Sequence, residues 1–342
     1  LFREACPARL IGVTGSNGKS TTAAMTAAIL QAEGRTTWLG GNIGTSLLER
    51  LDQIGPDDWG VLELSSFQLR HLSRNVRMPQ VAVVTNCSPN HLDWHAGYAH
   101  YRAAKQRILA GQSTGDLAVL NTSEAEVACW APLVRGRQTP LVPQGEIPML
   151  SVPGRHNRIN ATCAATAAMA AGCTSEAVRR GLGAFSGLPH RLESIAVVRG
   201  REFCDDSSST TPDSTAAALE SLPGPTWLLA GGRDKGLDFS RLAAAIVERS
   251  RGAAFYGSVR EQWCRQLLAH LPEFPCTAVE TMEEALRWCW HRSRSGECIV
   301  LSPACSSHDQ FRNYRTRGER FVERVRQLAQ RLDEKSPLQR RD

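Results

Sequence analysis

The run Leu10–Thr22, LIGVTGSNGKSTT, concentrates residues able to handle an anion. An apolar stretch meets a glycine-rich turn, and a helix-forming segment begins near Lys19. That order predicts a phosphate cradle, because a strand, a flexible loop and a helix N-terminus together aim backbone N–H groups at an anion. Gly15 and Gly18 let the backbone approach phosphate oxygens closely. Lys19 would bring a point charge to the β- and γ-phosphates, and the Ser20 hydroxyl a ligand for Mg²⁺. Val13 stands where the first glycine of G-x-x-x-x-G-K-[ST] belongs, so the pattern departs from its usual form. The plainer alternative is a strand-to-helix turn built of small residues.

Further along, Glu63 closes the apolar run in VLELSSFQL, where a carboxylate at a strand end suits Mg²⁺, which prefers oxygen donors. Ser65 follows it and could cap a helix or touch substrate. In NCSPNHLDWH, His91, Asp93 and His95 lie close in sequence, and the two histidines, four apart, could share a helix face. Leu92 occupies the second position of an H-E-x-x-H motif, so a zinc protease is excluded. Lys105 lies in YRAAKQRIL, where a lone helical lysine is ordinarily a solvated charge. Asn157 and Asn160 in GRHNRIN share a helical face and could read a purine edge or cap the helix.

Three more stretches fall after apolar runs near the C-terminus. Asp206 lies in DDSSSTTPDST, a polar turn running into a helix with Thr211 as its cap and Pro212 in its first turn. Lys235 in GGRDKG could reach a phosphate or carboxylate. SPACSSHDQF, with Ser307 and His308, offers hydroxyl and N–H groups to an anion.

Elements must position these groups. Short apolar strands at Leu10–Val13, Val61–Leu64, Val81–Thr85 and Leu117–Leu120 alternate with helical segments, including Thr21–Ala32 and Tyr98–Leu109. Such alternation predicts right-handed βαβ crossovers and a mostly parallel sheet, with ligands beyond the carboxyl ends of the strands. Cys129–Pro153 is proline-rich and resists assignment. A Gly-Leu-Pro turn at Gly187 marks a break, after which the alternation resumes from Glu193 to Leu301 and ends in a helix from about Arg317. The expected fold class is α/β: a P-loop ATPase domain over residues 1–187, a smaller Rossmann-like α/β domain over 188–334, and a solvated, frayed tail over 335–342.

With 342 residues, 42% hydrophobic and 22% charged, the chain has the composition of a globular protein holding about two domains. A net charge of +6 is spread along it, aromatic residues make up 6%, and no basic-aromatic stripe exists, which argues against nucleic acid. No apolar run approaches the roughly 20 residues that span a bilayer, so no membrane partner is expected. Eleven cysteines without a C-x-x-C argue against zinc ribbons and disulfide frameworks and fit a cytoplasmic protein. A monomer acting on small molecules is expected.

Taken in order, GVTGSNGKSTT, GGNIG, ELSSFQL, NHLDWH, YRAAKQRI, GRHNRIN, GLPHRLE, GGRDKG and SPACSSHDQFRNY resemble the Mur ligase family, its glutamate-adding members most of all. The resemblance covers about Leu10 to Gln330. It implies a cytoplasmic enzyme of peptidoglycan synthesis that uses the γ-phosphate of ATP to convert the carboxylate of UDP-N-acetylmuramoyl-L-alanine to an acyl phosphate, which a glutamate amine then attacks. By the same resemblance, Gly15, Asn17, Gly18, Lys19, Ser20 and Thr21 bind ATP phosphates. Ser20 and Glu63 hold a first Mg²⁺; His91 and a carbamylated Lys105 hold a second. Asn42 and Ser65 face phosphate and muramoyl substrate, Asn157 and Asn160 the adenine, and Arg191 and Asp206 the ATP phosphates and ribose. Lys235, Ser307 and His308 surround the glutamate.

Two departures from the family pattern stand out. The family begins with a uridine-nucleotide-binding domain, and this chain starts where that domain would end, as a truncation or with the anchor supplied elsewhere. Ser208 replaces the lysine that the family often places in the turn after Asp206, which leaves D- versus L-glutamate open. The alternatives are a folylpolyglutamate-synthase-like or other Mur-like amide ligase, and an inactive nucleotide-binding fragment.

Overall fold

The computed structural model describes residues 2–43, 46–72, 76, 78–91, 94–152 and 154–334. Asp93 and the 335–342 tail lie outside them. The chain forms two compact units, Leu1–Ser186 and Gly187–Asp342.

The first unit carries strands β1 (Arg9–Thr14), β2 (Thr37–Gly41), β3 (Trp59–Glu63), β4 (Val81–Val84), β5 (Leu117–Leu120) and β6 (Arg137–Gln138). Its helices are α1 (Phe2–Ala5), α2 (Lys19–Ala32), α3 (Ser66–His71), α4 (Tyr98–Ala110), α5 (Ala125–Ala128), α6 (Arg155–Ala170) and α7 (Ser175–Gly183). The strands pair in the order β2-β3-β1-β4-β5-β6, every pair parallel. Parallel sheets are covered on both faces, which is why these strands read as continuous apolar runs. In β4, Val81 and Val83 enter the core on one face while Ala82 and Val84 enter the core on the other. Met25, Ile29 and Leu30 of α2 and Val178 and Leu182 of α7 belong to the first core; Tyr101, Ile108 and Leu109 of α4 belong to the second. The chain leaves β1 toward β3 and β2 on one side and later returns to β4 on the other. This order reversal opens a crevice at the carboxyl end of β1, where ligands bind in such sheets.

The second unit carries β7 (Glu193–Val198), β8 (Arg201–Asp205), β9 (Thr226–Gly231), β10 (Ser250–Tyr256), β11 (Cys276–Ala278) and β12 (Cys298–Ala304). Its helices are α8 (Pro212–Ser221), α9 (Ser240–Arg249), α10 (Arg260–His270), α11 (Met282–Arg292) and α12 (Tyr314–Glu334). The order is β11-β10-β9-β12-β8-β7, parallel except for the β7–β8 hairpin. Its side chains also alternate between two cores: Leu228 and Ala230 of β9 face one, Trp227 and Leu229 the other. The carboxyl ends of β8, β12 and β9 therefore lie side by side.

Several elements differ from the sequence reading. Helix α2 begins at Lys19, where the helix-forming segment is expected, and α6 begins at Arg155, each behind a glycine with positive φ (Gly18 at 78°, Gly154 at 102°). The proline-rich segment holds β6 and short 3₁₀ turns. His91 has a φ of 53° in a loop ahead of α4, so His91 and His95 do not share a helix face.

Gly181 on α7 sits against α2, where an added Cβ would lie 2.6 Å from the Ile29 Cα. Alanine ordinarily favours a helix over glycine by about 1 kcal/mol. Here backbone rather than a pliable side chain stands in the way, and overpacking costs about 1–3 kcal/mol. Gly181→Ala should therefore lower the melting temperature despite its better helix propensity, and a calorimetric scan that shows a rise would refute this packing.

Candidate active site

The turn after β1 has no room for side chains at its glycines. Gly15 has a φ of 154°, and a Cβ there would lie 2.0 Å from Thr85 Oγ1. Gly18 has a φ of 78°, and its Cβ would lie 2.3 Å from Asn160 Oδ1. Between them the loop is clamped to the segment after β4. Asn17 donates its N–H to Asn86 Oδ1 at 2.8 Å, and its carbonyl accepts from Thr85 Oγ1 at 2.7 Å and Asn86 Nδ2 at 3.0 Å. Ser16 Oγ donates to the Ser88 carbonyl at 2.8 Å and lies 2.9 Å from the Tyr101 hydroxyl. These contacts hold a rigid cradle at the start of α2. The first turn of α2 carries no acidic residue that would oppose an anion there. Lys19 Nζ donates to the Ser16 carbonyl at 2.8 Å, folding back over the loop, and Thr21 is buried in the first turn.

A carboxylate meets this cradle from β3. Glu63 is 2% exposed; its Oε2 accepts from Ser20 Oγ at 2.6 Å and its Oε1 from Asn42 Nδ2 at 3.0 Å. Asn42 is carried there by the turn after β2, where Gly41 has a φ of 95° and a Cβ would strike the Glu63 carbonyl at 2.3 Å. Ser65 caps α3: its Oγ accepts from Gln68 N at 3.2 Å while Gln68 Oε1 accepts from Ser65 N at 2.9 Å.

Lys105 is not a solvated charge. It is 1% exposed on α4, with Nζ 2.6 Å from the Gly15 carbonyl and 4.5 Å from the centre of the Tyr101 ring. Burial first, and the positive charge of Lys19 second, hold its amine well below the ordinary lysine range. The half-buried His91 ring lies on the same aromatic cluster, 6.5 Å from Tyr101 and 5.0 Å from Phe67, centre to centre. His95 turns inward instead, with Nε2 3.0 Å from Ser66 Oγ. Asn157 and Asn160, one helical turn apart on α6, are both buried, and Asn160 Nδ2 donates to Asn157 Oδ1 at 3.3 Å. Asn160 packs directly behind Gly18, so α6 backs the cradle.

In the second unit, the loops after β8, β9 and β12 are stitched together. The fully buried Arg317 of α12 was not singled out from the sequence. Its Nε donates to Ser207 Oγ at 3.0 Å, its Nη2 to the Ser207 carbonyl at 2.9 Å and its Nη1 to the Cys305 carbonyl at 3.2 Å. Arg233 N donates to the Ser306 carbonyl at 2.9 Å, and Ala304 N to the Ser209 carbonyl at 2.9 Å. Lys235 Nζ reaches the Thr210 carbonyl at 3.1 Å. Ser307 is buried and His308 exposed on the neighbouring loop. Asp206 is enclosed: Oδ2 accepts from Ser302 Oγ at 2.6 Å and Oδ1 from Leu192 N at 3.2 Å, with Arg191 adding a nearby positive charge. Arg191 itself is half-buried between His190 and Leu192, both in the left-handed region with φ of 63° and 49°.

Comparison with known proteins decides the family. The Mur ligase middle domain matches residues 13–146, and the Mur ligase glutamate ligase domain residues 190–305. The UDP-N-acetylmuramoylalanine–D-glutamate ligase of Symbiobacterium thermophilum is 36% identical over 359 aligned positions, covering 96% of this chain and 78% of that protein. This chain belongs to the Mur ligase family. The ligase of the same name from Desulfovibrio desulfuricans is 37% identical, covering 94% of this chain and 72% of its own. The structure of a MurF ligase from Thermotoga maritima in complex with ADP superposes with a TM-score of 0.71 at 17% identity, covering 97% of this chain and 82% of that one. A bifunctional folylpolyglutamate synthase/dihydrofolate synthase from Yersinia pestis gives 0.65 at 18% identity, covering 93% and 89%. At such identities these two show the shared α/β fold. As a Mur ligase, the chain is an ATP-dependent, ADP-forming amide ligase.

The enclosure of Asp206 sets a pH dependence. Burial pushes its carboxyl up to about 7 from an ordinary 3.8, against the opposing hydrogen bonds of Ser209 and Ser302. A carboxyl raised on folding costs nothing below the unfolded value, and its penalty grows as pH rises from about 4 to 7, reaching on the order of 4 kcal/mol. Asp206→Asn should flatten that decline, so that the variant matches or exceeds the parent's melting temperature at pH 8 and gains little at pH 4. Parallel melting curves across this range would contradict the burial cost.

Proposed function

We propose that this Mur ligase joins glutamate to UDP-N-acetylmuramoyl-L-alanine, forming ADP and phosphate, as a step in peptidoglycan precursor synthesis. The observation that carries the reading is the Lys19–Ser20–Glu63 cluster at the cradle, in a chain more than one third identical to ligases of that name. The folylpolyglutamate synthase likeness is one of fold and favours no second reading.

The chemistry follows from the groups present. ATP passes its γ-phosphoryl group to the substrate carboxylate and leaves as ADP. The glutamate amine attacks the resulting acyl phosphate; the amide bond forms, phosphate departs, and the amine gives up a proton. The cradle's N–H groups and the Lys19 ammonium hold the phosphates and offset the charge that moves between them.

The donor set at the cradle fits Mg²⁺. Ser20 and Glu63 present hard oxygens in contact with each other, and the Asn42 amide fixes the outer carboxylate oxygen. Bound there, Mg²⁺ would neutralise charge on the β- and γ-phosphates. For a second ion we assign His91 and Lys105. An ammonium is no ligand, but burial makes the Lys105 proton easier to lose, and the neutral amine can add CO₂, release that proton and become a carbamate with two oxygen donors. Gly15, Asn17, Gly18 and Thr21 line the phosphates, and Asn157 and Asn160 support the loop that holds them. Lys235, Ser307 and His308 are assigned to the glutamate, with the D form favoured by the names of the relatives.

Phosphate release measured with UDP-N-acetylmuramoyl-L-alanine and either enantiomer of glutamate tests the whole reading. Release that depends on both substrates, faster with D-glutamate, is expected; none with either enantiomer sinks the proposal. Lys19→Ala should cut that release by at least about a hundredfold, the scale of losing one charged stabiliser. An unaltered rate would remove Lys19 from the site. Lys105→Ala should be equally impaired, yet regain part of its activity with acetate or formate, which return carboxylate oxygens to the vacated space. A folded variant that these acids leave silent would argue against a carbamate.

A further inference from the structure

Two cysteines of the second unit face each other at the edge of its sheet. Cys264 lies in α10 and Cys276 opens β11, the edge strand of the second sheet. Their sulfurs are 3.1 Å apart, and both side chains are half-buried, so small molecules can reach them. The other cysteines of this unit (Cys204, Cys289, Cys298 and Cys305) are buried, and burial raises the thiol of each, which keeps it protonated and inert. We propose that Cys264 and Cys276 form a reversible thiol–disulfide site that takes a small-molecule disulfide as its oxidant and fastens β11 to α10.

The geometry asks for little movement. A disulfide bond needs about 2.05 Å between sulfurs, so the two must approach by roughly 1 Å. Cys276 is held by a three-residue strand with a neighbour on one side only, pairing with Ala253 of β10. Edge strands of this length yield more readily than central ones. The pair closes a loop of 12 residues, and closing such a loop restricts the unfolded chain more than the folded one.

The exchange balances. The Cys264 thiolate attacks one sulfur of the small disulfide and expels the first small thiolate, leaving a mixed disulfide. Cys276 then attacks the Cys264 sulfur, its proton passing to the second departing thiolate. Two protein thiols lose two electrons and two protons, and one small disulfide becomes two thiols. The Cys276 thiol is pushed up to about 12 by burial and by its hydrogen bond to Cys264, so it acts second, once its neighbour has been converted.

Full-length folded protein should be equilibrated with mixtures of oxidised and reduced glutathione, quenched by alkylation and digested for mass spectrometry. The expected product is a Cys264–Cys276 cross-linked peptide pair two hydrogens lighter than the separate peptides, with both of these thiols lost to alkylation. The oxidised protein should melt several degrees higher, and dithiothreitol should reverse both changes. Exposed Cys129 supplies an internal control, because it has access to oxidant and should carry glutathione under the same conditions. A glutathione adduct on Cys129 while Cys264 and Cys276 remain alkylated would overturn the proposal. So would a stable glutathione adduct at Cys264 that never resolves into the cross-link. In Cys264→Ser the oxidant should leave the melting temperature unchanged; a rise that persists would place the effect at other cysteines.

Discussion

A buried ammonium hydrogen-bonded to a backbone carbonyl holds the first unit's site together. Lys105 Nζ reaches 2.6 Å to the carbonyl of Gly15, the residue at which the phosphate loop leaves β1. That carbonyl points inward because Gly15 adopts a backbone conformation that a side chain would forbid, with Thr85 pressed against the space where a Cβ would sit. Two of the loop's N–H groups, those of Ser16 and Asn17, donate to Asn86 and pin the loop to the segment after β4. A charged lysine buried this far is costly, and the Gly15 carbonyl, the Tyr101 ring and the Glu63 charge offset that cost only in part. The burial that makes Lys105 a structural tether also makes its proton easier to lose.

The second unit solves a related problem with a different cation. Arg317, fully buried, directs its guanidinium to Ser207 and to the Cys305 carbonyl, on the loops after β8 and β12. Arginine suits this use because its planar fork presents several donors at fixed angles and stays charged when buried. Those two loops carry Asp206 and Ser307, so a single side chain on α12 registers groups from distant parts of the chain.

What could be read from the sequence divides along the same physical line. The strands were legible because a parallel sheet buries both faces: Leu10–Val13, Val81–Val84 and Cys298–Leu301 are apolar throughout. The glycine turn and the Ser20 and Glu63 donors were legible because each lies at a strand end, where an α/β sheet binds its ligands. The helix at α10 and the strand at β11 escaped notice. The former is polar along much of its length, and the latter is three half-buried residues at a sheet edge. The starts of α2 and α6 carry no side-chain capping signal, because Gly18 and Gly154 stand at the caps in place of the usual serine, threonine or aspartate. Arg317 and the burial of Lys105 were beyond local pattern altogether. Lys105 is enclosed by residues 90 positions away in sequence, and Arg317 by residues as far as 110 positions away. Only the resemblance to Mur ligases marked Lys105.

The two units place a carboxylate at a strand end in a similar setting but with different electrostatic consequences. Glu63 follows β3 and accepts from Ser20; Asp206 follows β8 and accepts from Ser302, each at 2.6 Å. Lys105 lies near Glu63, and the Glu63 charge favours the charged form of Lys105. Asp206 has the half-buried Arg191 and a set of hydroxyls, and burial outweighs them, leaving the carboxyl near neutrality. A carboxylate that presents its oxygens beside a serine hydroxyl at a phosphate cradle is suited to hold a metal, whereas one that changes charge near pH 7 within a hydroxyl cluster is suited to hydrogen-bond as donor or acceptor. The same local motif, a strand-end acid gripped by serine, therefore supports two kinds of chemistry according to what surrounds it: a phosphate loop beside Glu63, and an enclosing hydroxyl cluster around Asp206.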